Sequence, residues 1–158
     1  DQVGMTPGCS GLYGMHIPFS EEVINQLYPT KRWYVDAVTD AASWTFVCHR
    51  DDIVPNTGVA AKVGGAQVAV FRVVAPDGTE DGIFALDNFD LRSQANVLSR
   101  GLIGELSTET GPVLVVASPV YKNHLCLRTG RCLEDEAWSV KAWAVTCGDD
   151  GAIMVKVS

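Results

Sequence analysis

Residues 59–74 read Val-Ala-Ala-Lys-Val-Gly-Gly-Ala-Gln-Val-Ala-Val-Phe-Arg-Val-Val. Two strand-length apolar runs, 59–63 and 66–74, meet at Gly64-Gly65. Glycine takes the positive φ angles of a tight turn at no steric cost, so a two-residue Gly-Gly connection between such runs predicts a β-hairpin. On either side the same rhythm continues. Upstream, residues 44–48 form another short β-like run. Downstream, Pro76-Asp77-Gly78 marks a turn, followed by runs at 83–87, 113–117 and 124–127. Arg128-Thr129-Gly130 makes a further turn, and 140–147 and 152–157 pair as a closing hairpin across 148–151. Many short strands with frequent turns predict an all-β sandwich or small barrel.

The bulk composition narrows the function classes. The 158 residues are 47% hydrophobic and 20% charged, enough for one domain with a core and a modest extension. No stretch approaches the ~18–20 uninterrupted apolar residues of a spanning helix. A soluble protein is expected. The net charge of −7, with twelve scattered Lys and Arg, supplies no basic face to displace counterions from phosphates. Nucleic acid and anionic membrane surfaces are therefore unexpected partners. Five cysteines without a C-x-x-C pair and without a secretory leader fit reduced thiols and a cytoplasmic setting.

The organisation is read as an extension, 1–43, followed by a β domain, 44–158. Within the extension, 1–14 is Gly-rich. Ser20, Glu21 and Glu22 then suit the first turn of a short helix whose Val23, Ile24 and Leu27 share a face, ended by Pro29. Such a helix must pack on something, its own domain, a second copy or a different subunit, which leaves a homo-oligomer open as one assembly. Trp44, Trp138 and Trp143 lie in or beside strand-like runs and read as sheet residues rather than ligand stackers.

Searching for chemistry returns little. Gly101-x-x-Gly104 lacks the rest of a dinucleotide fingerprint, and no G-x-S-x-G nucleophile elbow occurs. The three histidines, His16, His49 and His124, nominate no triad. His124-Leu125-Cys126 puts two metal-ligand types on one face of a strand, with Cys132 nearby, but the second pair that zinc wants is missing. No catalytic residue and no metal site is expected in the chain. What remains are two segments that break the strand rhythm, 88–112 and 118–123, the kind of loops on which function tends to sit.

At those loops the sequence resembles a known family. Leu98-Ser99-Arg100-Gly101, Ala117-Ser118-Pro119-Val120-Tyr121-Lys122 and Leu127-Arg128-Thr129-Gly130-Arg131-Cys132-Leu133-Glu134-Asp135 are similar to the small subunits of bacterial assimilatory NAD(P)H-dependent nitrite reductases. Asp51-Asp52-Ile53-Val54-Pro55 and the run from Gln67 to Phe71 fit in the same order. The likeness covers about residue 44 to the C-terminus. It implies a Rieske-like antiparallel fold, in which C-x-H on one loop and C-x-x-H on another hold a [2Fe–2S] cluster. Registered against that pattern, Asn88-Phe89-Asp90 replaces the first motif and Ser118-Pro119-Val120-Tyr121 the second. An amide, a hydroxyl and a phenol are poor iron donors, and one carboxylate does not hold two irons. The expectation is no cofactor in this chain.

The resemblance further implies an accessory subunit in nitrate and nitrite assimilation. Its large-subunit partner would carry FAD, an iron–sulfur cluster and sirohaem. The former cluster tip then becomes the candidate docking surface, with Asn88, Asp90, Ser99, Arg100, Ser118, Tyr121, Lys122 and His124 as nominees. The competing reading is a polar clamp, in which Ser118 and Tyr121 tie two loops together and Arg100 pairs with Asp87 or Asp90. Two other classes stand beside the accessory subunit: a Rieske-type electron carrier, which requires iron, and a stand-alone binding module.

Overall fold

The computed structural model describes residues 43–157, and the short helix expected near residues 20–29 lies outside them. Twelve strands make up the domain, all paired antiparallel. They are β1 (Trp44–His49), β2 (Thr57–Val63), β3 (Ala66–Val74), β4 (Glu80–Asp87), β5 (Phe89–Asp90) and β6 (Ala95–Asn96). After these come β7 (Leu102–Thr108), β8 (Gly111–Ala117), β9 (His124–Cys126), β10 (Ala142–Trp143), β11 (Val145–Cys147) and β12 (Ala152–Lys156). Short 3-10 turns occupy Arg50–Asp52, Leu98–Arg100 and Glu136–Trp138. The strands form sheets ordered β1-β12-β11, β10-β4-β3-β2 and β7-β8-β9, with β5-β6 as a small ribbon.

The hairpin read from residues 59–74 is the centre of this arrangement. Val63 pairs with Ala66 across Gly64 and Gly65, whose φ angles are 55° and 86°. Successive side chains of a strand point to opposite faces, and β3 buries both. Val68 and Val70 face one core with Val47, Ile53, Val63, Ile153 and Val155. Ala69, Phe71 and Val73 face a second with Leu86, Leu98, Val116, Leu125 and Leu127. This two-sided burial explains why β3 is apolar without a break from Val68 to Phe71 rather than alternating. The second core carries the β7-β8-β9 sheet and the loops at its end.

Two expectations need revision. The segment 88–112, read as lacking strand pattern, contains β5, β6 and all of β7. β7 is mostly solvent-facing and carries Gly104, so it leaves little alternation to detect. The run 140–147 is not one strand. β10 pairs with β4 and β11 with β12, so the chain changes sheet between Trp143 and Val145. The closing hairpin appears as expected, with Val145 opposite Val155 and Cys147 opposite Ile153.

Candidate functional site

The site is built at one end of the β7-β8-β9 sheet, where three connections converge. The first is the ribbon β5-β6. Asn88 enters it buried, its Nδ2 donating to Gln67 Oε1 at 3.0 Å and its Oδ1 accepting from the Ser99 N–H at 2.8 Å. Asn88 therefore fastens the Leu98–Arg100 turn to β3. Gly58 lets that turn seat closely, because a Cβ there would lie 2.8 Å from the Ser99 carbonyl and 2.7 Å from the Phe71 ring.

Two residues on, Asp90 is closed to solvent. Its Oδ1 accepts from the Arg92 N–H at 3.1 Å, and its Oδ2 accepts from the Ser118 hydroxyl at 2.6 Å. Ser118 is equally buried, and its Oγ also accepts from the Val120 N–H at 3.3 Å. The loop 118–123 is closed on itself by Ser118 N–H to Asn123 O at 2.9 Å and Lys122 N–H to Ser118 O at 3.0 Å, with Lys122 at φ 63°. A charge-assisted bond to a carboxylate is the strong kind of hydrogen bond. Here it joins the two loops directly.

A second contact lies beside the first. The Arg92 guanidinium sits 4.7 Å from the Tyr121 ring centroid and 4.3 Å from that of Trp138. That contact extends the junction to the third connection, the turn Glu136–Trp138. Below it, His124 Nδ1 meets Glu134 Oε1 at 2.6 Å while the His124 N–H donates to Glu134 Oε2 at 2.9 Å. The Cys132 thiol donates to Glu134 Oε2 at 3.5 Å. Desolvation alone would raise the Glu134 carboxyl. Hydrogen bonds from the His124 ring, the backbone and Cys132 together outweigh it and hold the group below its ordinary value.

The nominated residues thus divide. Asp90 and Ser118 are brought into contact. Asn88 and Ser99 bind each other inside the protein, so Ser99 supports the turn rather than offering a docking surface. Tyr121, Lys122 and Arg100 are exposed and His124 half-exposed. Arg100 makes no ion pair among the described residues: Asp87 accepts from Trp143 Nε1 at 2.8 Å, and Asp90 is taken by Ser118 and Arg92. Arg92, which sequence reasoning passed over, is the side chain that links all three connections.

A [2Fe–2S] cluster makes specific demands on its donors. Four cysteine or histidine donors would have to stand apart around two irons. Here the carboxylate and hydroxyl at the centre touch each other, and the neighbouring pair is a guanidinium on an aromatic ring. Among the described residues no three His, Cys, Asp or Glu side chains are placed to hold a metal ion. The buried Asn123 amide makes no side-chain hydrogen bond among these residues, but an amide is a poor iron donor. The residues present do not fit the cluster.

The fold and the apposed loops define a Rieske-type β domain, and residues 43–156 match the family described as Rieske-like [2Fe-2S] domain. Within that class the likeness is specific. The nitrite reductase (NADH) small subunit of Salmonella typhimurium is 43% identical over 115 residues, spanning 73% of this chain and 98% of that one. The solution structure of the Escherichia coli protein NirD aligns with a TM-score of 0.58 at 38% identity, over 72% of this chain and 94% of that one. The chain belongs to the family of nitrite reductase small subunits. One relative differs in kind. The nitrite reductase [NAD(P)H] large subunit of Klebsiella oxytoca is 39% identical over 102 residues, 65% of this chain but 10% of its own length. A domain of this type is there part of the large chain itself.

Proposed function

We propose that the chain is the accessory small subunit of a cytoplasmic NAD(P)H-dependent nitrite reductase, docked on the large subunit and carrying no redox cofactor. The observation that carries this reading is the Asp90–Ser118 hydrogen bond, which occupies the junction a cluster would fill. The contacts also support a register for the lost ligands. In a Rieske centre the two cysteines share one iron and the two histidines the other. Asp90 touches Ser118 and Arg92 touches Tyr121, in that order and at the C-x-H and C-x-x-H spacings. The first motif is then Asp90-Leu91-Arg92, two residues beyond Asn88-Phe89-Asp90, and a protein contact stands at each metal position.

A subunit that keeps the fold and seals the redox site contributes surface and position, not electron transfer. The six-electron chemistry belongs to the FAD, iron–sulfur and sirohaem centres expected in the partner. The Klebsiella large chain supports the partnership, because a related domain there travels covalently with the rest of the enzyme.

The test is NAD(P)H-dependent nitrite reduction by the purified large subunit with and without this chain, together with the iron and acid-labile sulfide content of the chain. Increased turnover with an iron-free chain is expected. Stoichiometric iron with a Rieske-type absorption spectrum would overturn the cluster-free reading, and absence of binding would overturn the partnership.

A further inference from the structure

Six large hydrophobic residues are exposed among the described residues: Val54, Leu91, Leu102, Val120, Tyr121 and Leu133. Five of them lie on the 118–123 loop or on segments bonded to it or to its flanking residues. Val120 and Tyr121 are on it, 51% and 53% exposed. Leu91 follows Asp90, which is bonded to Ser118. Leu102, 75% exposed, pairs in register with Ala117, and the Leu133 N–H donates to the His124 carbonyl at 2.9 Å. Scattered single apolar residues on a surface need no explanation, but a contiguous group does.

Around Leu91, Val120 and Tyr121 the charge is opposite to that of the whole chain, while the Leu133 side of the group is bordered by the exposed acids Glu134, Asp135 and Glu136. Residues 91–102 and 118–123 contain three exposed cations, Arg92, Arg100 and Lys122, and no acidic residue, whereas the chain carries −7 overall. Asp90 is buried and bonded, Glu134 is held by His124, and Glu136 lies 3.1 Å from the Arg131 guanidinium. Arg92 is already held against Tyr121 and Trp138, and Lys122 Nζ is held by the Pro119 carbonyl at 3.0 Å. Side chains fixed in advance lose less entropy on association, and Tyr and Arg are the residues that dominate interface energies.

Resting on the small-subunit reading above, we infer that this apolar, cation-rimmed tip is the face that docks on the large subunit. Its occupant is an apolar surface bordered by Asp and Glu. Charge complementarity selects that partner chemistry over a tip-to-tip pair of copies, which would bring like charges together. Leu91, Val120 and Tyr121 supply the apolar centre. Arg92, Arg100 and Lys122 supply the rim.

The experiment measures binding of the full chain to its cognate purified large subunit by calorimetry at two salt concentrations. The variants are Val120→Asp, Arg100→Glu/Lys122→Glu and, away from the tip, Val54→Asp. Unchanged thermal unfolding confirms that each variant folds. Val120→Asp is expected to weaken binding by about tenfold or more, and the double charge reversal to weaken it and invert its salt dependence. Val54→Asp is expected to bind as wild type. Wild-type affinity in both tip variants, or selective loss in Val54→Asp, would overturn the tip as the docking face while leaving the partnership intact. Failure of the wild-type chain to bind would instead overturn the partnership, and this inference with it.

Discussion

The Asp90 carboxylate accepts a 2.6 Å hydrogen bond from the Ser118 hydroxyl, with neither side chain exposed to solvent. The two residues are 28 positions apart, and the bond spans the gap between the β5-β6 ribbon and the loop after β8. A buried carboxylate is tolerated only when its oxygens are satisfied. Here Ser118 satisfies one and the Arg92 N–H the other. These contacts hold the tip, and its stability should respond to them one at a time.

Ser118→Ala removes the hydroxyl that donates to Asp90 Oδ2 and leaves that oxygen buried without it. The expected cost is about 1–3 kcal/mol, read as a lower urea midpoint with an unchanged m value. Asp90→Ala/Ser118→Ala should lose less than the sum of its single variants, since each already breaks the shared bond. Additivity within about 0.5 kcal/mol would mean the two side chains act independently.

Arg92→Ala should loosen the tip without unfolding the domain. The guanidinium over two rings at an exposed site is worth about 0.5–1 kcal/mol, so the loss in stability is small. The sharper readout is Trp138 fluorescence, which should shift as the ring loses its cover. Arg92→Lys is expected to restore little of it, because an ammonium lacks the planar face that stacks on an aromatic ring.

How much of this could be read from residues alone depends on what each signal measures. The 59–74 hairpin was legible because glycine at both turn positions has a steric cause, and its apolar runs match a strand buried on both faces. β7 was not, because a strand facing solvent on most positions carries no burial pattern. The break at Ala144 was not legible either, since a strand that changes sheet keeps β character throughout. Of the candidate site, Asp90, Ser118 and Tyr121 were nominated by motif spacing. Arg92 was not nominated because the register chosen began at Asn88, and the contacts with Ser118 and Tyr121 are what favour the proposed register beginning at Asp90.

Gly101 and Gly104 make a matched pair of backbone tests on either side of Leu102. A Cβ at Gly101 would run into the Ala117 carbonyl and lie 2.6 Å from Val116 Cγ2, so Gly101→Ala should push β7 off β8 at the base of the tip. Overpacking of this kind costs about 1–3 kcal/mol. A Cβ at Gly104 meets nothing within 4 Å. Gly104→Ala should therefore be neutral or add about 0.4–1 kcal/mol by restricting the unfolded chain. Equal midpoints for the two variants would show that the close approach at Gly101 is not a constraint.

Acid should weaken the tip through Glu134. Its carboxyl lies below the ordinary value of 4.5: desolvation opposes this, but hydrogen bonds from the His124 ring, the His124 N–H, the Glu134 N–H and the Cys132 thiol prevail. A group whose pKa is lower in the folded state binds fewer protons there than in the unfolded chain. Its contribution is complete above the unfolded value and disappears as pH falls through the lower folded value. The loss is therefore expected below about pH 4.5 and not near neutrality. Glu134→Gln should flatten the stability profile in that acid window. At pH 7 it should also lower stability, because a neutral amide accepts the His124 bonds less strongly than a carboxylate does. A wild-type profile and the Glu134→Gln profile with the same slope between pH 5 and 3 would show that the His124–Glu134 pair does not hold the loop.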